Sequence, residues 1–448
     1  MRFMKFGKTF LMSALAMGVI LGITSCVQSY SVGYLYVTGL NTAATNGNGI
    51  ISGFKIDHNK GYLTPINGLP LSSGGANPVR AVLLTGGRFI YVLNRGADPN
   101  GGTDCSAAVP CTGANITQFA IGGNGVLTPQ QTFYTQGINP IRMIVDGSGN
   151  YIYVLDQIAP SSSSCALALG SGVTSCGDIT AFKIDATTGR LTLVVNSQVT
   201  AASGAPLPYF PVPANPIDFL LSSNIVLTLS GTPSTGDSAF PYTYNGSTGQ
   251  LTINQNTAQP LGINKANAIV AAAGIVYVLD NEPLTKTDMQ TNVTTTTPSQ
   301  ILPFTIGTNG ALQQQTGGAV QDDAAQSNPI YAIVAAPNSK WIYVANQGNN
   351  TDQTNAQSGI SGWVIDPATK QLKNEISGSP WGTGAGPQCL LEDPSNQFIY
   401  TANYYDSTVT GRVIDQGSGS LTLLPGNANK QYKLNGPATW CIATGRTS

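Results

Sequence analysis

One histidine, His58, stands among 448 residues, and Asp, Glu, Lys and Arg together make up only 9% of the chain. The lack of histidine excludes Ser-His-Asp and Cys-His catalytic groupings and most zinc sites, because each needs an imidazole as base or ligand. His58 itself lies in Ile56-Asp57-His58-Asn59-Lys60-Gly61, a turn between two outer strands, where it reads as a solvated residue. No Cys-x-x-Cys occurs, which removes zinc ribbons and dithiol redox motifs. Neither a metal nor a cofactor is expected. There is also no basic excess to attract nucleic acid, with 20 Lys and Arg against 21 Asp and Glu.

The longest uncharged apolar run, Phe10 to Ile23, is too short to span a bilayer comfortably as a mature helix. It follows a short basic stretch, Met1 to Lys8, and together they read as a signal peptide. The run ends in Ile23-Thr24-Ser25-Cys26, which resembles a bacterial lipobox, so Cys26 is the expected lipidation site and the membrane anchor. The expected division is a leader over 1–25, an anchor and short linker over 26–32, and one domain over 33–448. Losing Arg2, Lys5 and Lys8 leaves 17 basic against 21 acidic residues, a net charge near −4. The expected location is the bacterial cell envelope, periplasmic or at the cell surface, as a monomer. Six further cysteines suit an oxidising compartment. Cys105 and Cys111 share one Gly-rich loop and Cys165 and Cys176 another, so two local bridges are expected; Cys389 and Cys441 are either a third bridge or two buried thiols.

A repeat organises the rest. Asn77-Pro78 leads to Tyr91-Val92-Leu93-Asn94, Asn139-Pro140 to Tyr153-Val154-Leu155-Asp156, and Asn328-Pro329 to Tyr343-Val344-Ala345-Asn346. Weaker copies begin at Asn215-Pro216, Asn264-Lys265 and Gly386-Pro387. Each is followed by a second unit like Ile179 to Thr192, with relatives at Ile116 to Thr128 and Ile360 to Leu372. Alternating apolar residues on either side of a Gly-containing turn predict hairpins, and two hairpins make a propeller blade. The fold class is all-β: a seven-bladed β-propeller, its ring closed by pairing the C-terminal strand (Pro437 to Ile442) with the N-terminal blade. Tyr and Phe at repeat spacing are packing between blades, and Thr291 to Thr297 reads as a mobile loop.

These residues resemble the lactonase-type seven-bladed propellers, which include 6-phosphogluconolactonases and the Tyr-Val-Thr-Asn repeat surface proteins. The resemblance implies lactone hydrolysis by histidine, arginine and glutamate around the central cleft, with a histidine directly after the proline that opens an inner strand. Here those positions hold Val79, Ile141, Ile217, Ile330, Gln388 and Ala438. The candidate site therefore rests on polar residues at the rim of the long loops. Two after each opening proline or its equivalent stand Arg80, Arg142, Asp218, Asn267, Tyr331, Cys389 and Thr439; the second strands end in Asn94, Arg95, Asp156, Asp280, Glu282, Asn346 and Asn403. Arg80 and Arg142 suit bidentate capture of a carboxylate or phosphate. Asp156 or Glu282 suits a general base if burial raises it. Alternatively, these groups only satisfy backbone and one another. Asp98, Asn100 and Asp104 form a weak calcium pattern without a terminal glutamate. The expected function is a non-catalytic module that binds an envelope protein or a glycan; the alternative is a lactone hydrolase.

Overall fold

Apolar runs such as Phe89–Asn94, Ile225–Ser230, Ile275–Asp280, Trp341–Asn346 and Phe398–Asn403 are buried at every residue, the pattern of a strand covered on both faces. In the computed structural model each is the second strand of a blade, sandwiched between two neighbouring blades. The structure describes residues 30–445, apart from 42–46, 85, 100–104, 106–108, 202, 232–235, 254–257, 273, 283, 288, 298, 308, 323–325, 336–338, 349–356 and 427–430. The leader, Cys26 and two of the three calcium-pattern residues, Asn100 and Asp104, lie outside the described residues. The first strand, Ser31–Gly39, begins inside the stretch read as linker.

Seven antiparallel sheets follow one another around the ring. Their inner strands are Pro78–Leu83, Ile138–Val145, Pro216–Ser222, Ala266–Ala272, Pro329–Val334, Pro387–Glu392 and Ala438–Gly445. The last pairs antiparallel with Ser31–Gly39, from Gly33↔Gly445 to Gly39↔Ala438, so the C-terminus supplies the innermost strand of the N-terminal blade. The expected closure is thus present. Blades are richer than the four strands read from the repeat. In six of the seven, a segment near the blade's end adds a short fifth strand beside the third, as Leu71–Ala76 does beside Asn48–Asp57. The Thr-rich loop differs too: Thr294–Thr297 pairs with Leu284–Thr287 as a small hairpin, because β-branched threonines favour extended backbone. One helix, Ser162–Leu169, occupies the loop tied by Cys165 and Cys176.

Repeated tyrosines join the blades. The hydroxyls of Tyr36, Tyr91, Tyr153, Tyr277, Tyr343 and Tyr400 each donate to a backbone carbonyl in the outer hairpin turn of the next blade: Gly125, Gly189, Gly249, Lys370, Gly419 and Gly61, at 2.6–3.0 Å. The fourth blade has Leu227 at that position. The acceptor residues have positive φ, 61° at Lys370 and 66–82° at the glycines, a conformation that favours glycine. At Gly419 a Cβ would also stand 2.7 Å from the Trp341 ring. Asn before Pro has a backbone reason as well: Asn77, Asn139, Asn215 and Asn328 have φ of 51–57°, and Gly386 takes their place in the last full blade.

Candidate functional site

Each of the seven inner strands carries a one-residue register shift near its start. Bulges of this kind re-aim the side chains that follow. Pro78 pairs with Asn94 and Arg80 with Leu93, skipping Val79; the same step skips Ile141, Ile217, Asn267, Ile330, Gln388 and Thr439. The residues after the bulge are Arg80, Arg142, Asp218, Ala268, Tyr331, Cys389 and Trp440. Two positions therefore differ from the sequence reading by one residue, Ala268 in place of Asn267 and Trp440 in place of Thr439. Neither blade opens with a proline in the register of the others: Ala266 stands opposite Asp280 and Ala438 opposite Gly39. A one-residue slip exchanges the faces of a strand, which is why the tryptophan escaped notice.

Four of the predicted residues come together along the channel. Arg142 Nε donates to Asp218 Oδ1 at 3.1 Å, and Arg142 Nη1 to the Ile141 carbonyl at 3.1 Å. Both carboxylate oxygens of Asp218 also accept from backbone, Oδ1 from Phe219 N at 2.9 Å and Oδ2 from Ile269 N at 3.1 Å. Arg80 is 6% exposed, its guanidinium carbon 3.4 Å from the centre of the Trp440 ring and 5.3 Å from that of Tyr331. Burial, with Arg142 nearby, brings its pKa down to about 9. Arg142 lines two depressions of about 490 and 480 Å³ on the loop side and a chamber of about 280 Å³ on the other. Arg80 and Trp440 belong to the chamber only.

The remaining candidates lie elsewhere. Asn94, Asp156, Asp280 and Asn346 are buried within the sheets. Asn94 Nδ2 donates to the Ser73 carbonyl at 3.1 Å and to Asn115 Oδ1 at 2.9 Å, Asn346 Nδ2 to Ser361 Oγ at 3.0 Å, and Asp280 Oδ2 accepts from Gln300 Nε2 at 2.8 Å. Their strand-end position alternates away from the channel, and their hydrogen bonds run within their own blades. Asp156 faces Asp178 across the strand pair, with the single Thr180 hydroxyl within hydrogen-bonding distance of both, 3.2 Å from Asp156 Oδ2 and 3.4 Å from Asp178 Oδ2. Burial pushes both carboxyls up, Asp178 further through the charge of Asp156. Glu282 is part-exposed and accepts from Asn264 Nδ2 at 3.3 Å. His58 stays on the outer rim, stacked on Tyr30 at 4.4 Å.

At the loop-side mouth Arg95 lines both depressions. Its Nη2 donates to the Cys105 carbonyl at 2.7 Å and to Gln157 Oε1 at 3.1 Å, which joins it to the loop closed by the Cys105–Cys111 bridge. One depression continues over Asn77, Gln347, Gln388, Tyr404 and Tyr405, the tyrosines packed edge to face at 5.5 Å. The other holds Lys265 and Asp237, a carboxyl the sequence reading missed because it follows a Gly- and Ser-rich loop outside the repeat. Asp237 is buried, accepts from Ala266 N at 2.6 Å, and is pushed up by that burial and by Asp280 and Glu282. All three disulfides are formed, including Cys389–Cys441, which resolves the choice left open by the sequence. Among the described residues no group of three His, Cys, Asp or Glu side chains is placed to hold a metal ion. Nor, among them, is any helix long and apolar enough to cross a membrane.

Residues 48–205 match the family model described as lactonase, 7-bladed beta-propeller. No curated protein sequence matches the chain. Solved structures do. The periplasmic gluconolactonase of Pseudomonas aeruginosa superposes with a TM-score of 0.60 at 15% identity, covering 92% of this chain and 99% of that one. Provisionally assigned 6-phosphogluconolactonases from Bacteroides fragilis (15% identity, 92% and 98% covered) and Bacteroides uniformis (13%, 92% and 100%) also reach 0.60. The chain is thus a lactonase-like seven-bladed β-propeller, its family match carried by residues 48–205 and its likeness to the solved gluconolactonases one of fold.

Proposed function

We propose that this is an extracytoplasmic propeller, anchored through Cys26, that binds an acidic glycan or an envelope protein at its loop-side mouth without turning it over. Three disulfides support an oxidising location. The mouth offers amides at Asn77, Gln347 and Gln388, aromatic faces at Tyr404 and Tyr405, and guanidinium groups at Arg95 and Arg142, a set suited to sugar hydroxyls, ring faces and a carboxylate. The observation that carries the non-catalytic reading is the pairing of Arg142 with Asp218. That carboxylate already accepts from the Arg142 guanidinium and from two backbone N–H groups, so both of its oxygens are engaged within the protein and not turned to a substrate.

One observation favours lactone hydrolysis instead. Asp237 shares a depression with Arg95, Arg142 and Lys265, and its raised pKa suits a general base beside cations that would steady an oxyanion. The test is hydrolysis of a panel of sugar and aliphatic lactones by the purified protein, by Arg142→Ala and by Asp237→Asn. No turnover above the variants, with acidic oligosaccharides binding the wild type and at least about tenfold more weakly to Arg142→Ala, is the expected result. Turnover that collapses in Asp237→Asn would replace it with the hydrolase.

A further inference from the structure

The chamber on the far side of Arg142 is distinct from the mouth. Its walls are the middle and far ends of three inner strands, with partly exposed apolar side chains at Val145, Leu221 and Ala271, and its polar end is Arg80. No hydrogen-bond acceptor among the described residues serves the Arg80 guanidinium. The stacking on Trp440 uses only the face of the group; its N–H donors lie in the plane and point along the edge. The neighbouring charges do not compensate it either, because Asp218 is already engaged by Arg142, which leaves the chamber with one positive charge in excess. A buried cation without an anionic acceptor is costly, and its packing over Trp440 and beside Tyr331, whose rings meet edge to face 4.7 Å apart, restrains the fork in advance.

We propose that this chamber is a binding site for a small monocarboxylate with an apolar tail, the carboxylate taken in two parallel hydrogen bonds by Arg80. At about 280 Å³ it lies just under the ~300–1,000 Å³ of most small-molecule pockets, which suits a short-chain acid and is too small for an oligosaccharide. The apolar walls give the tail its contribution and set the ligand apart from a bare inorganic anion. Because the chamber and the mouth are separated by Arg142, failure here leaves the reading of the mouth untouched, and the reverse holds.

Hexanoate is the probe, titrated into the purified protein with tryptophan emission and thermal stability as readouts, since Trp440 forms part of the site. Hexanoate is expected to saturate, to shift the emission and to raise the Tm; hexanamide at the same concentrations is expected to do neither, and acetate or chloride to bind at least about tenfold more weakly. Arg80→Gln should weaken hexanoate at least about tenfold, while Arg190→Gln on the outer rim should not change it. Val145→Phe, which narrows the chamber without touching the guanidinium, should weaken it as well and decides the matter if Arg80→Gln does not fold. Hexanamide binding as well as hexanoate, acetate or chloride binding as well as hexanoate, no saturation at all, or unchanged affinity in either chamber variant would each overturn the proposal.

Discussion

Asp156 and Asp178 stand where the second blade has Asn94 opposite Asn115, so one blade of the ring carries two acids in a place that another fills with neutral amides. Both are fully buried, and burial raises both carboxyls. A group whose folded pKa lies above its unfolded value binds more protons when folded, and the folded state then loses stability as pH rises from about 4 through the folded values. Asp178→Asn is therefore expected to raise the Tm at pH 8 by at least about 1 °C and to flatten the fall in stability between about pH 4 and 8. Thermal melts of the two proteins across that range check both. A variant less stable than wild type at pH 8 would show that the pair is stabilised in its ionised form. Arg80 is the cationic counterpart, a charge that the fold buries and leaves without an acceptor.

At the scale of elements, the propeller is held by two kinds of contact between blades, apolar side chains from the second strands and the hydroxyl clasps of the repeated tyrosines. The side chains of Tyr36, Tyr91, Tyr153, Tyr277, Tyr343 and Tyr400 are among the largest fully or almost fully buried groups in the molecule. Replacing Tyr343 with Phe keeps the ring and leaves the Gly419 carbonyl without its donor, at a cost of about 0.5–1.5 kcal/mol. Urea denaturation should show a lower midpoint at unchanged slope. Removal of a clasp without effect would mean that water replaces the hydroxyl. The repeated Tyr-Val was legible as blade packing because it recurs at fixed places in the sequence. The partner was not, because the acceptor lies about 70–100 residues further on in the next blade, or, for Tyr400, back at Gly61.

Across the whole molecule, the ring closes where Ala438–Gly445 pairs with Ser31–Gly39, and Cys389–Cys441 ties that closing strand to Pro387–Glu392 of the adjacent blade. A propeller opened at this seam exposes strand edges on both sides. The double substitution Cys389→Ala, Cys441→Ala is expected to cost about 2–4 kcal/mol and to concentrate its effect at the seam. Hydrogen exchange should then show faster exchange over Ser31–Gly39 and Ala438–Gly445 than over Pro216–Ser222, on the other side of the ring. Uniform acceleration around the ring would instead mean that the blades open together.

The sequence by itself determined the class of fold, the number of blades, the way the ring closes and the two local disulfides, because these follow from features that repeat or lie close together along the chain. It also singled out Arg80, Arg142, Asp218 and Tyr331, since a polar residue after a proline-opened strand is a local signal. Only the tertiary structure decided that Arg142 pairs with Asp218 through its Nε, that Asp156 meets Asp178 inside a sheet, and that Cys389 and Cys441 pair. It alone placed Trp440 under Arg80, residues 360 positions apart whose meeting depends on ring closure and on a register one residue different from that of the proline-led blades. Periodicity reports which face of a strand is covered; what two faces hold between them depends on how the blades are set around the axis.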